Sequence, residues 1–533
     1  MATRPRSLLL LPAVVFLGLA GVAAQATRSE GQAGGEPGIL TPPPPPTPRI
    51  NGPSVYGVRP GRPFLYRIPA TGDRPMRFRA EGLPAGLALD EATGIVRGTI
   101  TDLTPRSHEL TLIASNARGR ASRPFRIVVG DALALTPPMG WNDWYTFYEQ
   151  PSDELMRKAA DIMISSGMAD HGYQYVNIDD AWMGKPGSND PALTGPARDE
   201  RGMINANRRF PDMKGMTDYI HSLGLKAGLY TSPGPLTCAD FHASHEHEAQ
   251  DVARFVEWGF DFLKYDWCSY EKVAPKGSAP DPERLQKPYR LMGALLKEQP
   301  RDIVFNLCQY GMGDVWTWGA SVGGHSWRTT GDLGLEKGQR LPGFYSIGFR
   351  NAEHSAFAGP GHWNDPDYIL IGYVGNAHDI NEAPKPTTLT PNEQYSYMSM
   401  WALMAAPLFY SGDITRLDPF TLNVLNNAEV IAVDQDSLGI QARIVRKTDD
   451  EFVLAKPLED GSLAVGLFNL SEETRTIAVR MAELGVGPRR VRDLWRWKDV
   501  GVFADEYSAS VGRHGVMLVR MEAGPRGGQR PRM

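Results

Sequence analysis

The octapeptide Asp261-Phe-Leu-Lys-Tyr-Asp-Trp-Cys268 holds a lysine and an aspartate two positions apart. Phe262, Leu263 and Tyr265 are strand formers of the kind a buried parallel strand uses, and strand alternation sets Lys264 and Asp266 on one face at its carboxyl end. A carboxylate held ionised by a nearby cation suits a nucleophile. The same pair would serve equally as a buried structural ion pair. Further acids follow other apolar runs: Asp143, Asp179, Asp180, Asp332, Asp365 and Asp367, with Arg328 as a second cation and Trp141, Trp144, Trp267 and Tyr230 among them. Carboxylates inside aromatic walls are what glycoside hydrolysis needs, because its transition state is cationic and its substrate presents hydroxyls and one apolar face. A divalent metal is the other use for so many acids, but Lys264 and Arg328 in the same ring would repel it. The run His242-Ala-Ser-His-Glu-His-Glu248 has no zinc-type spacing, and Glu246 and Glu248 stand where a helix begins and complement its dipole. No metal and no cofactor is expected.

To gather these residues at one rim, the chain needs a repeating scaffold. Apolar runs alternate with helical patterns from residue 131 to 440. Candidate strands lie at or just before Met139–Trp144, Tyr175–Asp180, Lys226–Tyr230, Phe262–Asp266, Ile303–Cys308, Ser326–Arg328, His362–Asp367 and Pro407–Tyr410. Between them, Leu155, Ala159, Ile162 and Met163 share a helical face, as do Val252, Phe255 and Val256, with Gly259 placed to cap the second. Eight strands alternating with helices is the pattern of a (β/α)8 TIM barrel, whose chemistry sits at the strands' carboxyl ends.

The flanks read differently. Residues 1–26 have the two arginines, apolar run and small residues of a signal peptide, and the run is short for a membrane span. Residues 27–49 are rich in glycine and proline, a stiff linker. Short alternating runs over 50–130 predict an immunoglobulin-like β-sandwich, with a spacer role favoured over carbohydrate binding. Alternation returns over 441–522 as a C-terminal antiparallel β-sandwich, and 523–533 form a disordered tail. The chain of 533 residues is 42% hydrophobic and 22% charged with a formal charge of −5, which gives no reason to expect nucleic acid or an anionic membrane as partner. It should be exported, secreted or periplasmic, and free of the membrane after signal cleavage. Its three cysteines fit that compartment: Cys238 and Cys268 follow neighbouring strands and are expected to pair, leaving Cys308 as a buried inert thiol.

Thr136-Pro-Pro-Met-Gly-Trp-Asn-Asp-Trp144, Asn177-Ile-Asp-Asp180, His221-Ser-Leu-Gly-Leu-Lys-Ala-Gly-Leu-Tyr230, Lys264-Tyr-Asp-Trp-Cys268, Asn364-Asp-Pro-Asp367 and Met404-Ala-Ala-Pro-Leu408 resemble, in order, the α-galactosidase (melibiase) type of glycoside hydrolase family 27. The resemblance implies hydrolysis of terminal α-D-galactosyl groups with retention, Asp266 being the nucleophile and Asp332, in Arg328-Thr-Thr-Gly-Asp332, the acid/base. It further implies that Trp144 is a stacking wall, that Asp179 and Asp180 grip the hydroxyls at carbons 4 and 6, and that Tyr230 and Asp367 line the pocket. Lys264 and Arg328 would keep Asp266 ionised and hold ring hydroxyls. The chain departs from the family at Ala181 and Gly324, where many members place cysteines. It departs also at Gln309, neutral where many have glutamate facing the carbon-2 substituent. The alternatives on the same scaffold are a β-L-arabinopyranosidase or an α-N-acetylgalactosaminidase, and, from another class, a non-catalytic carbohydrate-binding protein.

Overall fold

The computed structural model describes residues 38–274, 277, 281–334, 340–375 and 383–523. The signal peptide read at 1–26, the first part of the linker and the tail from 524 lie outside the described residues. Eight parallel strands form the centre: β1 (Met139–Asn142), β2 (Tyr175–Asn177), β3 (Lys226–Thr231), β4 (Phe262–Asp266), β5 (Val304–Cys308), β6 (Ser326–Arg328), β7 (Trp363–Asp365) and β8 (Leu408–Tyr410). They are hydrogen-bonded in the order 7-6-5-4-3-2-1-8. Ile369, just past β7, makes a parallel bridge to Tyr410 of β8 and closes the barrel. Apart from Lys226 every strand residue is buried, as a sheet covered on both faces requires. Register aligns the chemistry: Tyr230 lies opposite Lys264, Asp266 opposite Cys308, and Arg328 opposite Asp365.

The helix Asp153–Ser165 is started by the Ser152 hydroxyl, which accepts the Leu155 N–H. Its buried face is Met156, Ala159, Ala160 and Met163, so the stripe is rotated from the one read through Leu155 and Ile162, which flank it. The helix Glu248–Trp258 ends at Gly259 with φ +94°, the left-handed cap expected there. The helix Pro391–Leu403 shows no apolar stripe for a clear reason. From Glu393 to Leu403 every residue is buried, because the barrel covers one side and three strands of the C-terminal domain the other.

The N-terminal domain is an immunoglobulin-like β-sandwich. Strands Val55–Val58, Gly119–Val129, Arg106–Asn116 and Arg77–Glu81 form one sheet, and Pro63–Arg67, Ile95–Thr99 and Leu87–Leu89 the other. Phe64, Tyr66, Phe78, Val96, Leu112 and Phe125 fill the space between them. It is fixed to the amino-terminal end of the barrel. The Arg59 guanidinium donates to Asp302 Oδ1 at 2.5 Å and to the Lys297 carbonyl at 2.5 Å, while Arg67 donates to the Leu223 carbonyl at 3.2 Å. The described end of the linker differs from a free spacer. Thr41 N–H donates to Asn423 Oδ1 (3.2 Å), Asn423 Nδ2 returns a bond to the Thr41 carbonyl (2.8 Å), and Leu40 N–H donates to the Tyr395 hydroxyl (3.0 Å). Prolines cannot pair as strands do, so the segment is held through its few remaining amides and carbonyls.

The C-terminal domain is an antiparallel β-sandwich of six strands, from Arg443–Lys447 to Val516–Ala523, facing the pair Arg475–Arg480 and Glu506–Val511. His514 ties it to the barrel. Its Nδ1 lies 2.7 Å from Glu393 Oε1 on the shared helix and its Nε2 lies 3.1 Å from Glu472 Oε1.

Candidate functional site

At the carboxyl ends of the strands a cavity of about 410 Å³ opens, and nine of the ten predicted site residues line it: Trp144, Asp179, Asp180, Tyr230, Lys264, Asp266, Arg328, Asp332 and Asp367. These side chains come from the carboxyl-terminal halves of the strands or the turns just after them, so the rim collects groups far apart in sequence. Asp266 ends β4 and is 4% exposed. Its carboxylate accepts the Tyr310 hydroxyl (2.6 Å) and the Trp267 N–H (2.7 Å) on Oδ1, and the Tyr230 hydroxyl (3.2 Å) on Oδ2. Asp332, in the turn after β6, is more open, with 44% of its side chain exposed, and accepts Arg328 Nη2 at 3.1 Å.

The cations do not pair with Asp266 as the sequence suggested. Lys264 donates to Asp179 Oδ2 at 2.8 Å, and Arg328 bridges Asp332 and Asp367 Oδ2, the latter at 3.0 Å. The acids that take them, Asp179, Asp332 and Asp367, come from the turns after β2, β6 and β7. Burial therefore dominates at Asp266 and raises its pKa above the usual carboxylate range, with Lys264 and the Tyr310 hydroxyl pulling it back and Asp332 pushing it further up. Burial alone would lower the Lys264 ammonium, but Asp179, Tyr368, Cys308 and Asp266 outweigh it and the group is raised well above its ordinary value.

Asp180 is buried at 1% exposure and pushed up to about 7, first by burial, against the donors Thr237, Ala239 and Ala181. The backbone N–H groups of Ala181 and Ala239 reach it at 2.7 and 2.9 Å. Asp367 has φ +85°, a strained conformation for a residue with a Cβ. It is held there by Tyr145 Oη (2.6 Å), the Leu333 N–H (2.9 Å) and Arg328. Ala181 and Tyr310 also have positive φ, so left-handed turns recur around the rim.

Asp143 and Asp365 do not line the cavity. Asp143 accepts the Asp179 N–H (2.7 Å), and Asp365 accepts Asn306 Nδ2 (2.8 Å) and the Asp367 N–H (2.9 Å), so both position the acids that do. Gln309 is the one of the ten predicted site residues outside the cavity lining. It is 1% exposed, and neither atom of its amide has a partner. Cys308 ends β5 with its thiol toward Arg328 (Nη1 to Sγ, 3.7 Å), and the chain then leaves the strand through a left-handed turn at Tyr310 (φ +64°), whose hydroxyl reaches Asp266. Tyr310 is the residue sequence reasoning missed, and its place two positions past Cys308, just beyond a strand's carboxyl end, was the signal for it. Tyr368 and Asn142, which donate to Asp179 Oδ2 at 3.1 and 2.9 Å, carried no such signal.

Cys238 and Cys268 form a disulfide with Cα atoms 5.0 Å apart, and Cys308 is a buried free thiol. Among the described residues, Cys238, Asp266 and Cys268 are the one group with metal-like spacing. Its two sulfurs are already bonded to each other, which leaves one carboxylate, too few ligands for an ion.

A family model described as "Alpha galactosidase A" matches residues 136–436 of this chain. One described as "Alpha galactosidase C-terminal beta sandwich domain" matches 448–521, and "Putative Ig domain" matches 47–130. Alpha-galactosidase 2 of Arabidopsis thaliana is 37% identical over 395 residues, 73% of this chain and 90% of its own length. The crystal structure of a "putative alpha-galactosidase/melibiase" from Bacteroides fragilis superposes with a TM-score of 0.81 at 33% identity, covering 91% of this chain and 99% of that one. Alpha-galactosidase I from Mortierella vinacea superposes with a TM-score of 0.64 at 28% identity, covering 74% and 98%.

Proposed function

This chain belongs to the α-galactosidase family of glycoside hydrolases, and from that premise we propose that it is an exported exo-α-galactosidase that removes terminal α-D-galactosyl groups from oligo- or polysaccharides with retention of configuration. Asp266 attacks the anomeric carbon while Asp332 gives its proton to the departing glycosidic oxygen, leaving a galactosyl ester on Asp266. Asp332, now a carboxylate, takes a proton from water, which attacks the same carbon and frees Asp266. The observation that carries this reading is the pairing of a buried carboxylate, held by three donors, with a more open one in a single sugar-sized cavity. Buried, Asp266 is poorly solvated, which suits a nucleophile. Exposed toward the mouth, Asp332 meets both the leaving group and water.

Asp179 and Lys264 at the floor offer an acceptor and donors to ring hydroxyls, and Asp180 supports a hexose over a pentopyranose. A sugar without the carbon-6 hydroxyl would leave that buried carboxyl unpaired against substrate. The disulfide beside the site accords with export. Proton NMR of the first-formed sugar from a nitrophenyl α-galactoside tests the mechanism: α-galactose is expected first, and Asp266→Ala should abolish its release. β-Galactose appearing first, or undiminished turnover in the variant, would refute it.

A further inference from the structure

We propose that Glu149 and Lys185, at the mouth of the cavity, seat the first sugar ring of the leaving group, so that the chain selects galactosides by the sugar to which galactose is attached. The proposal rests on the reading above, in which galactose fills the floor. Side-chain burial supplies the direction: Asp179 is 3% exposed, Arg328 3% and Asp367 0%, whereas Asp332 is 44% exposed. If Asp332 protonates the glycosidic oxygen, everything beyond that oxygen lies toward the mouth. Glu149 and Lys185 line the same cavity with 27% and 24% of their side chains exposed, between floor and solvent.

The pair is fixed from two loops. Lys185 Nζ lies 2.6 Å from Glu149 Oε2 and 4.8 Å from the centre of the Phe241 ring. Arg209 holds the Glu149 carbonyl at 2.5 Å, and the Lys185 N–H donates to the Leu193 carbonyl at 2.9 Å. A partly exposed ion pair of this kind contributes little to folding. The salt bridge occupies one carboxylate oxygen and one ammonium hydrogen, leaving an acceptor and two donors side by side. That combination fits neighbouring hydroxyls of a hexose, a pair that an aryl leaving group lacks.

The test compares kcat/KM for the disaccharide melibiose with kcat/KM for a nitrophenyl α-galactoside, in the full chain and in Lys185→Met and Glu149→Gln. The ratio of the two is expected to fall about tenfold in each variant, the loss expected for a hydrogen bond to a charged group. A second ratio uses free glucose as acceptor: its hydroxyl attacks the galactosyl ester, Asp332 takes its proton and the bond to Asp266 breaks, in competition with water. Transfer to glucose relative to water should fall in the same proportion. Neither ratio depends on how much enzyme is folded, so a destabilised variant cannot imitate the result. Ratios unchanged within about twofold overturn the subsite while leaving the galactosidase reading intact, whereas a wild-type chain inert toward the nitrophenyl galactoside overturns that reading and the subsite with it.

Discussion

Asp180→Asn should remove a pH-dependent weakness from the barrel, and its size follows from where the carboxyl sits. Burial lifts Asp180 from the ordinary 3.8 up to about 7, and at 1% exposure there is no solvent screening to discount. Below the unfolded value the group is protonated in the folded and unfolded chain alike, and the stability that goes with the neutral form is fully present. As pH rises toward 7 the unfolded chain releases its proton while the folded one keeps it, and stability is lost progressively. By pH ~8 the loss is complete, ~4 kcal/mol at about 1.4 kcal/mol per tenfold. Asparagine is neutral throughout. It cannot accept from both the Ala181 and Ala239 N–H groups as well as a carboxylate does, but that deficit is the same at every pH. The informative quantity is the melting temperature of the variant minus that of the wild type, measured by calorimetry near pH 4 and pH 8, which should rise by up to about 8 °C at about 2 °C per kcal/mol. A difference constant within about 1 °C between the two pH values would mean that Asp180 is ionised at the bottom of the pocket at ordinary pH, and the argument from burial would fail.

Tyr310→Phe removes the 2.6 Å donor to Asp266 Oδ1, a bond that favours the ionised carboxylate. The acid limb of the pH profile of kcat/KM should move to higher pH, with about tenfold less activity on that limb and a smaller change on the plateau. Reduction of the Cys238–Cys268 disulfide, 30 positions apart in sequence, should lower stability by about 3 to 4 kcal/mol, read as a lower melting temperature in reductant. Arg59→Ala removes the bonds to Asp302 and Lys297 and should cost about 2 to 3 kcal/mol at the domain junction, seen as faster proteolysis near residue 130. Nitrophenyl galactoside turnover should stay within about twofold, because Arg59 is at the opposite end of the barrel from the cavity.

Most of the eight barrel strands were legible because each of those is a short apolar run ending in or leading straight to an acid or a small polar residue, a pattern that needs no knowledge of neighbours. The two sandwiches were legible through alternation. The rotated face of Asp153–Ser165 was not, since Leu155 and Met156 are equally apolar and only the sheet decides which turns inward. The helix Pro391–Leu403 has no stripe to read, because two domains bury it from both sides. The strapped linker escaped notice for a related reason. Its hold is a handful of side-chain bonds from Asn423 and Tyr395, more than 350 residues away.

At the site, sequence identified which side chains come together but not how they pair, and the distinction has a physical cause. Residue type and strand position fix where Lys264, Arg328 and the acids emerge. Pairing depends on differences of an ångström across strands, and those decide that Lys264 takes Asp179 and Arg328 takes Asp332 and Asp367. The consequence is chemical: with both cations hydrogen-bonded elsewhere, the groups bonded directly to Asp266 are two tyrosine hydroxyls and one amide, while the Lys264 charge favours its anionic form from a distance. Neutral donors stabilise a carboxylate without neutralising it, so its charge stays available to a cationic transition state. A lysine bonded directly to Asp266 would stabilise the anion more and attack less, which is the reason to expect that moving the Lys264 charge toward Asp266, as in Asp179→Asn, lowers the acid limb of the pH profile while also lowering kcat.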